Sequence, residues 1–257
     1  MSLEVTFLGT ATSQGVPVIA CDCEVCRSAD FRDKRLRTSI LIRSNQKNFI
    51  IDSGPDFRQQ VLRERISDLA ALIMTHEHKD HIAGMDDIRA FNYKEGGKDF
   101  RVFAHPRVQA ALKREFSYAF ADERYPGVPL IELISIDNIP FEIDGVRFTP
   151  IEVMHYKLPV FGFRVEDFTY ITDANFISEV EMNKIRGSKV LVLNALRKED
   201  HISHYSLRQA LEVIEELKPE RAYLTHLSHQ MGLHKEVEKQ LPPGVKLAYD
   251  GLKINIS

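Results

Sequence analysis

The sequence predicts a mixed α and β fold in a single domain spanning residues 1–257. Apolar runs rich in β-branched and aromatic residues recur from end to end, segments of helical spacing alternate with them in both halves, and no Ser/Gly/Pro-rich or low-complexity stretch separates the halves. Of the 257 residues, 44% are hydrophobic and 28% charged, proportions of a chain with a buried core rather than of a disordered or collagenous one. Lys and Arg number 34 against 37 Asp and Glu, a net charge of -3, so there is no overall electrostatic pull toward nucleic acid or anionic membrane.

The first run, residues 3–8, alternates like a strand and lacks the basic start, apolar stretch and cleavage site of a signal peptide, which points to a cytoplasmic protein. Runs at 38–43 and 48–52 follow, then a helix starting at Pro55, where proline suits the first turn. The run 69–75 holds the longest unbroken apolar stretch, Leu69 to Met74, six residues where a bilayer span needs about 20, so no membrane partner is expected. Helices start again at Asp80–His81 and at Pro106, on either side of a strand at 100–104. The stretch 92–130, with Gly96-Gly97 and Asp122-Glu123-Arg124-Tyr125-Pro126-Gly127, is where a substrate-covering insertion would sit. Strands at 131–135, 146–153, 160–172 and 189–194 lead to the clearest helix. There Leu207, Ala210, Leu211, Ile214 and Leu217 recur at helical spacing, Ser206 and Gln209 form a capping box, and Pro219 ends it. Strands at 221–225 and 246–256 complete the pattern.

Two of these strands carry the chemistry. Thr75-His76-Glu77-His78-Lys79-Asp80-His81 packs four metal-ligand side chains, His76, His78, Asp80 and His81, where a buried strand turns into a helix; such crowding is costly unless a cation organises it. Leu224-Thr225-His226 echoes Met74-Thr75-His76, and ligands in open sheets bind beyond the carboxyl ends of strands, so the two histidine clusters can meet at one site. A second constellation is Cys21-Asp22-Cys23-Glu24-Val25-Cys26. Three cysteines this close suit a tetrahedral zinc in a reducing compartment, with a fourth ligand required. His229 is the best candidate, three residues beyond His226, with His201, His234 and His105 as fallbacks; a redox-active C-x-x-C pair is the alternative. A third is His201-Ile202-Ser203-His204, just before the late helix.

The H-x-H-x-D-H run resembles the signature of the metallo-β-lactamase superfamily of dinuclear metal hydrolases, and the resemblance extends to Met154-His155, Ile171-Thr172-Asp173 and Thr225-His226 in the family's order. It implies an α+β fold, a four-layered αββα sandwich. By the same resemblance His76, His78 and His155 hold one divalent metal, Asp80, His81 and His226 the other, and Asp173 bridges them. Asp52, in Asp52-Ser53-Gly54, matches the superfamily's strand-end Asp-x-Gly and is read as orienting a ligand histidine. The run from Gly9 to Pro17, the cysteine cluster and Thr225-His226-Leu227-Ser228-His229 narrow the resemblance to the branch of phosphoribosyl 1,2-cyclic phosphate phosphodiesterase, of the phosphonate-breakdown type. In that branch a structural zinc sits on Cys21, Cys23, Cys26 and His229. His204 occupies the position of a catalytic histidine, with His201 competing for the role.

The implied activity is hydrolysis of a small, cyclic phosphodiester or nucleotide-like substrate through a metal-bridging hydroxide, with Mn²⁺ or Zn²⁺ as catalytic metals and His204 and Asp80 as catalytic residues. A homodimer is compatible with this reading; nucleic acid is not an expected partner. Two features depart from the branch: the run Ile51 to Arg58 looks like other subfamilies, and Asn194 stands where many relatives carry an acid. Two rivals follow. The opening strand and metal motif also resemble the tRNA 3'-processing endonuclease, although no Gly- and Pro-rich arm is evident. Pyrroloquinoline quinone synthesis protein B, a non-hydrolytic accessory protein, shares the cysteine cluster but lacks the full ligand set.

Overall fold

The structure is a computed structural model and describes residues 3–94, 96–123 and 125–256. One sheet is built from β1 (Leu3–Gly9), β2 (Ser39–Ser44), β3 (Lys47–Ile51), β4 (Ala71–Ile73), β5 (Phe100–Ala104) and β6 (Ile131–Ser135) in sequence order. The other contains β7 (Phe141–Ile143), β8 (Val146–His155), β9 (Leu158–Val165), β10 (Phe168–Tyr170), β11 (Phe176–Ile177), β12 (Val190–Asn194), β13 (Arg221–Thr225) and β14 (Val245–Leu247). Its order is β11-β8-β9-β10-β12-β13-β14, with β7 hairpinned onto β8. The last strand, β15 (Lys253–Ile256), returns to the first sheet and pairs antiparallel with β1.

The helices are α1 (Glu24–Arg27), α2 (Phe57–Arg63), α3 (Lys79–Ile82), α4 (Arg89–Lys94), α5 (Pro106–Glu115), α6 (Glu179–Ile185), α7 (Leu207–Leu217) and α8 (His234–Glu238). The central strands are buried on both faces, which is why they read as continuous apolar runs. Alternation sorts their side chains: Ile40, Ile42, Phe49 and Ile51 join Phe148, Phe163, Phe168 and Val192 in a core between the sheets. Leu41, Ile50 and Leu72 turn the other way, against Phe57 and Leu112 of α2 and α5. On the far side Ile151, Leu191 and Leu224 pack on Met182 of α6 and on Ala210 and Ile214 of α7. Helix, sheet, sheet, helix is the αββα sandwich that the resemblance implied.

The sequence reading merged strands in two places. Residues 160–172 are two antiparallel strands, β9 and β10, turning at Glu166 in a left-handed conformation (φ 52°). Residues 246–256 divide at Tyr249-Asp250-Gly251 into β14 and β15, which lie in different sheets. In the 92–130 stretch, β5 and α5 are ordinary parts of the first sheet and its cover, so an insertion there is confined to the connection after α5; Arg124 lies outside the described residues. That connection is tied down by Tyr118, whose hydroxyl donates to Asp86. No helix of the described residues is long and apolar enough to cross a membrane.

Candidate metal centre

Strands β4 and β13 lie in different sheets, and the Thr-His pair at or just beyond the end of each is delivered to the same end of the sandwich. The ligand atoms of His76, His78 and His155 lie within 4.8 Å of one another, as do those of Asp80, His81, Asp173 and His226, and those of His155, Asp173 and His204. Asp173 is thus common to two of the sets. His81 Nε2 is 3.3 Å from Asp80 Oδ2 and 3.2 Å from Asp173 Oδ2. His226 Nε2 is 3.2 Å from Asp173 Oδ1 and 3.6 Å from Asp80 Oδ2. Charge-assisted hydrogen bonds are shorter, about 2.7–2.9 Å. The observed separations suit neighbouring ligands around one cation that each reach it at about 2.0–2.2 Å.

The ring nitrogens facing away from the cluster are held. Asp52 is fully buried and accepts from Thr75 N–H at 2.9 Å and Thr75 Oγ1–H at 2.8 Å, and it lies 2.7 Å from His81 Nδ1. Because Thr75 spends its hydroxyl proton on Asp52, its oxygen accepts from His76 Nδ1–H at 2.9 Å. Asp52 therefore orients His81 directly and His76 through Thr75, turning each Nε2 toward the cluster. His155 Nδ1 donates to Ser203 O at 2.7 Å, with the same result. The Nε2 atoms of His76, His81 and His226 are buried without hydrogen-bond partners, a costly arrangement that a cation relieves. The donor set fits divalent metal.

Backbone conformation aims these groups. Asp52, Asp173 and His226 all sit at strand ends with positive φ (65°, 57° and 56°), strained for residues other than glycine and typical of functional turns. Gly54 is required by proximity: a Cβ there would stand 2.0 Å from the Asp80 carbonyl oxygen. The Asp-x-Gly turn thus props the ligand loop directly.

Electrostatics follow from burial and crowding. Burial pushes His76 well below its usual value and lowers His155, favouring the neutral imidazole that ligates metal, and it lowers His204 too, where the hydrogen bond to Asp173 works the other way. Burial also disfavours charge on His81, Asp80 and Asp173, but their mutual attraction outweighs it. It raises the imidazole and holds both carboxyls low. His204 Nε2 is 3.1 Å from Asp173 Oδ1, whereas His201 stands behind it, its Nδ1 3.2 Å from His204 Nδ1.

At the cysteine cluster His229 Nδ1 lies 3.2, 3.4 and 3.6 Å from the sulfurs of Cys21, Cys23 and Cys26. Tetrahedral zinc with Zn–S about 2.3 Å and Zn–N about 2.05 Å places such atoms about 3.6 Å apart, so the four side chains fit that ion. The fallback ligands lie elsewhere: His234 bonds Arg35 and Glu238, and His105 caps α5. The sequence reading missed Thr75 and Ser203 as supports for ligand histidines, and Asn175, whose amide accepts from Tyr156 N–H and donates to Ile202 O, tying the turn after His155 to the His204 loop. The repeated Thr-His was a usable signal for Thr75; a backbone carbonyl such as that of Ser203 leaves none.

Comparison with known proteins agrees with this geometry. The β-lactamase superfamily domain matches residues 47–227. A solved diphosphatase of the PhnP family superposes with a TM-score of 0.94 at 38% identity, covering 100% of this chain and 98% of that one. Zn²⁺-bound PqqB from Methylobacterium extorquens gives 0.78 at 18% identity, over 98% and 99% of the two chains, a likeness of fold. A Porphyromonas gingivalis protein named octanoyltransferase is 37% identical over 249 residues, 96% of this chain and 50% of that protein. Coenzyme PQQ synthesis protein B of Rhodopseudomonas palustris is 29% identical over 170 residues, 56% of this chain and 53% of that protein. The chain spans about half the length of these curated relatives. A shared domain over most of the chain and a near-complete match to the PhnP-family structure show that this chain belongs to the metallo-β-lactamase superfamily, in its PhnP family.

Proposed function

We propose that this hydrolase opens a small phosphodiester, cyclic by preference, at a centre of two divalent cations. The observation that carries the reading is the shared position of Asp173, whose carboxylate groups with Asp80, His81 and His226 on one side and with His155 and His204 on the other. His76, His78 and His155 would hold one cation and Asp80, His81 and His226 the other, with Asp173 between them. When bound, such cations supply an activated water and neutralise charge on phosphoryl oxygens. The chain's own groups do the rest. Asp52 and Thr75 keep His81 and His76 in register, Ser203 O fixes His155, and His204 stands beside Asp173 with a nitrogen suited to give a proton to the leaving oxygen. His201, one ring further out, supports His204 rather than replacing it. Cys21, Cys23, Cys26 and His229 would bind a structural zinc. The PhnP-family diphosphatase supports a phosphorus substrate, and the activity of this chain extends in the proposal to cyclic nucleotides and related diesters.

Purified protein with Mn²⁺ or Zn²⁺ is expected to hydrolyse bis(p-nitrophenyl) phosphate or a cyclic nucleotide, and Asp173→Ala and His81→Ala are each expected to abolish turnover. Unchanged turnover in both variants overturns the assignment. Cys23→Ser should lose one tightly held zinc; full zinc content in that variant removes the cysteines from the site. The Porphyromonas relative, half of which this chain matches, is named octanoyltransferase, and including an octanoyl-group donor in the same panel separates the readings.

A further inference from the structure

Asn194 ends β12 fully buried, and its amide grips both backbone polar groups of one residue: Oδ1 accepts from Ala174 N–H at 2.8 Å, and Nδ2 donates to Ala174 O at 2.9 Å. The same carbonyl accepts from Tyr205 N–H at 2.7 Å. Ala174 follows Asp173 and Tyr205 follows His204, so this junction joins the two turns that bring Asp173 and His204 to within 3.1 Å. Across the sheet Asn194 is in register with Thr225, and Ala195 N–H donates to Thr225 O at 3.0 Å, immediately before His226. The end of β12 is therefore the fixed point between two ligand-bearing turns, both in left-handed conformations that need outside support.

We propose that Asn194 is a positioning residue that holds the Asp173 turn so that one carboxylate reaches His81, His226 and His204 together. The proposal rests on the metal assignment above and deepens it. The chemistry requires an amide, because the clasp needs one acceptor and one donor on the same planar group. An ionised carboxylate would serve Ala174 N–H but would face Ala174 O with no proton to offer and add a buried negative charge near Asp173.

The test compares wild type, Asn194→Ala and Asn194→Asp, each stripped of loosely held metal with the cysteine-site zinc left in place. Mn²⁺ affinity is read by titration calorimetry, cysteine-site zinc by elemental analysis, and kcat and KM at saturating Mn²⁺. Both variants are expected to bind Mn²⁺ about 10–100-fold more weakly while keeping their zinc, with the loss of turnover in kcat rather than KM. If Asn194→Ala fails to fold, Asn194→Asp, which keeps the acceptor, carries the comparison. A purely structural role would lower thermal stability and leave Mn²⁺ affinity and kcat unchanged, and that outcome overturns the proposal. Wild-type protein that binds no Mn²⁺ with its cysteine site filled overturns the metal assignment together with it, whereas tight binding by all three proteins overturns the role of Asn194 alone.

Discussion

Asp52 is fully buried, yet two histidines of the proposed metal centre depend on it. Asp52→Ala removes the acceptor for His81 Nδ1 and for the Thr75 hydroxyl that steadies His76, so catalytic-metal affinity should fall about 10–100-fold, measured by competition with a chromogenic chelator. Affinity equal to wild type would show that the rings are held by packing alone. The clustering of the proposed ligands was legible in the sequence because His76, His78, Asp80 and His81 are too dense in titratable groups for an ordinary buried turn. Asp52 was legible through the glycine two residues on, which the contact of Gly54 with the Asp80 carbonyl now explains. Asn194 drew notice only as a departure. Its role depends on a backbone unit 20 residues away, and no side-chain pattern encodes that contact.

Elements that carry their own start and stop signals were read correctly, and several that depend on neighbours were not. The α7 helix carries its own start signal, and the capping box formed by Ser206 and Gln209 is present. The short strands β7 and β11 and the helices α1, α4, α6 and α8 take their stability from neighbours, so periodicity is weak in them. The turn between β14 and β15 was hidden inside an apolar run because its anchor is tertiary: Asp250 accepts from Leu36 N–H at 2.7 Å and Thr10 Oγ1–H at 2.8 Å. Burial pushes the Asp250 carboxyl up to about 6, against these donors. With an unfolded value near 3.9, its contribution is complete below about pH 4 and is lost as pH rises through about 6. Relative to Asp250→Asn, wild-type stability should therefore decline by about 3 kcal/mol across that interval, measured by urea unfolding at several pH values. A parallel pair of profiles would place the carboxyl at its ordinary value.

Across the whole molecule, two sheets share one apolar core and deliver their strand ends to one edge, so the site is assembled by the sandwich rather than by either sheet alone. Phe168, fully buried between the sheets, should cost about 3–5 kcal/mol when replaced by alanine, as read by denaturant midpoint. A loss below about 1 kcal/mol would mean that the layers close over the gap. The sandwich itself was legible only through resemblance, since alternating runs and helices specify mixed layers but not which strand joins which sheet. One detail of that topology constrains motion. Because β14 belongs to one leaf and β15 to the other, the turn at Tyr249–Gly251 works like the stitched spine of a book. The leaves cannot swing apart without tearing β15 from β1, so loosening of either half should be felt at once by the other, and the protein should come undone in a single cooperative event.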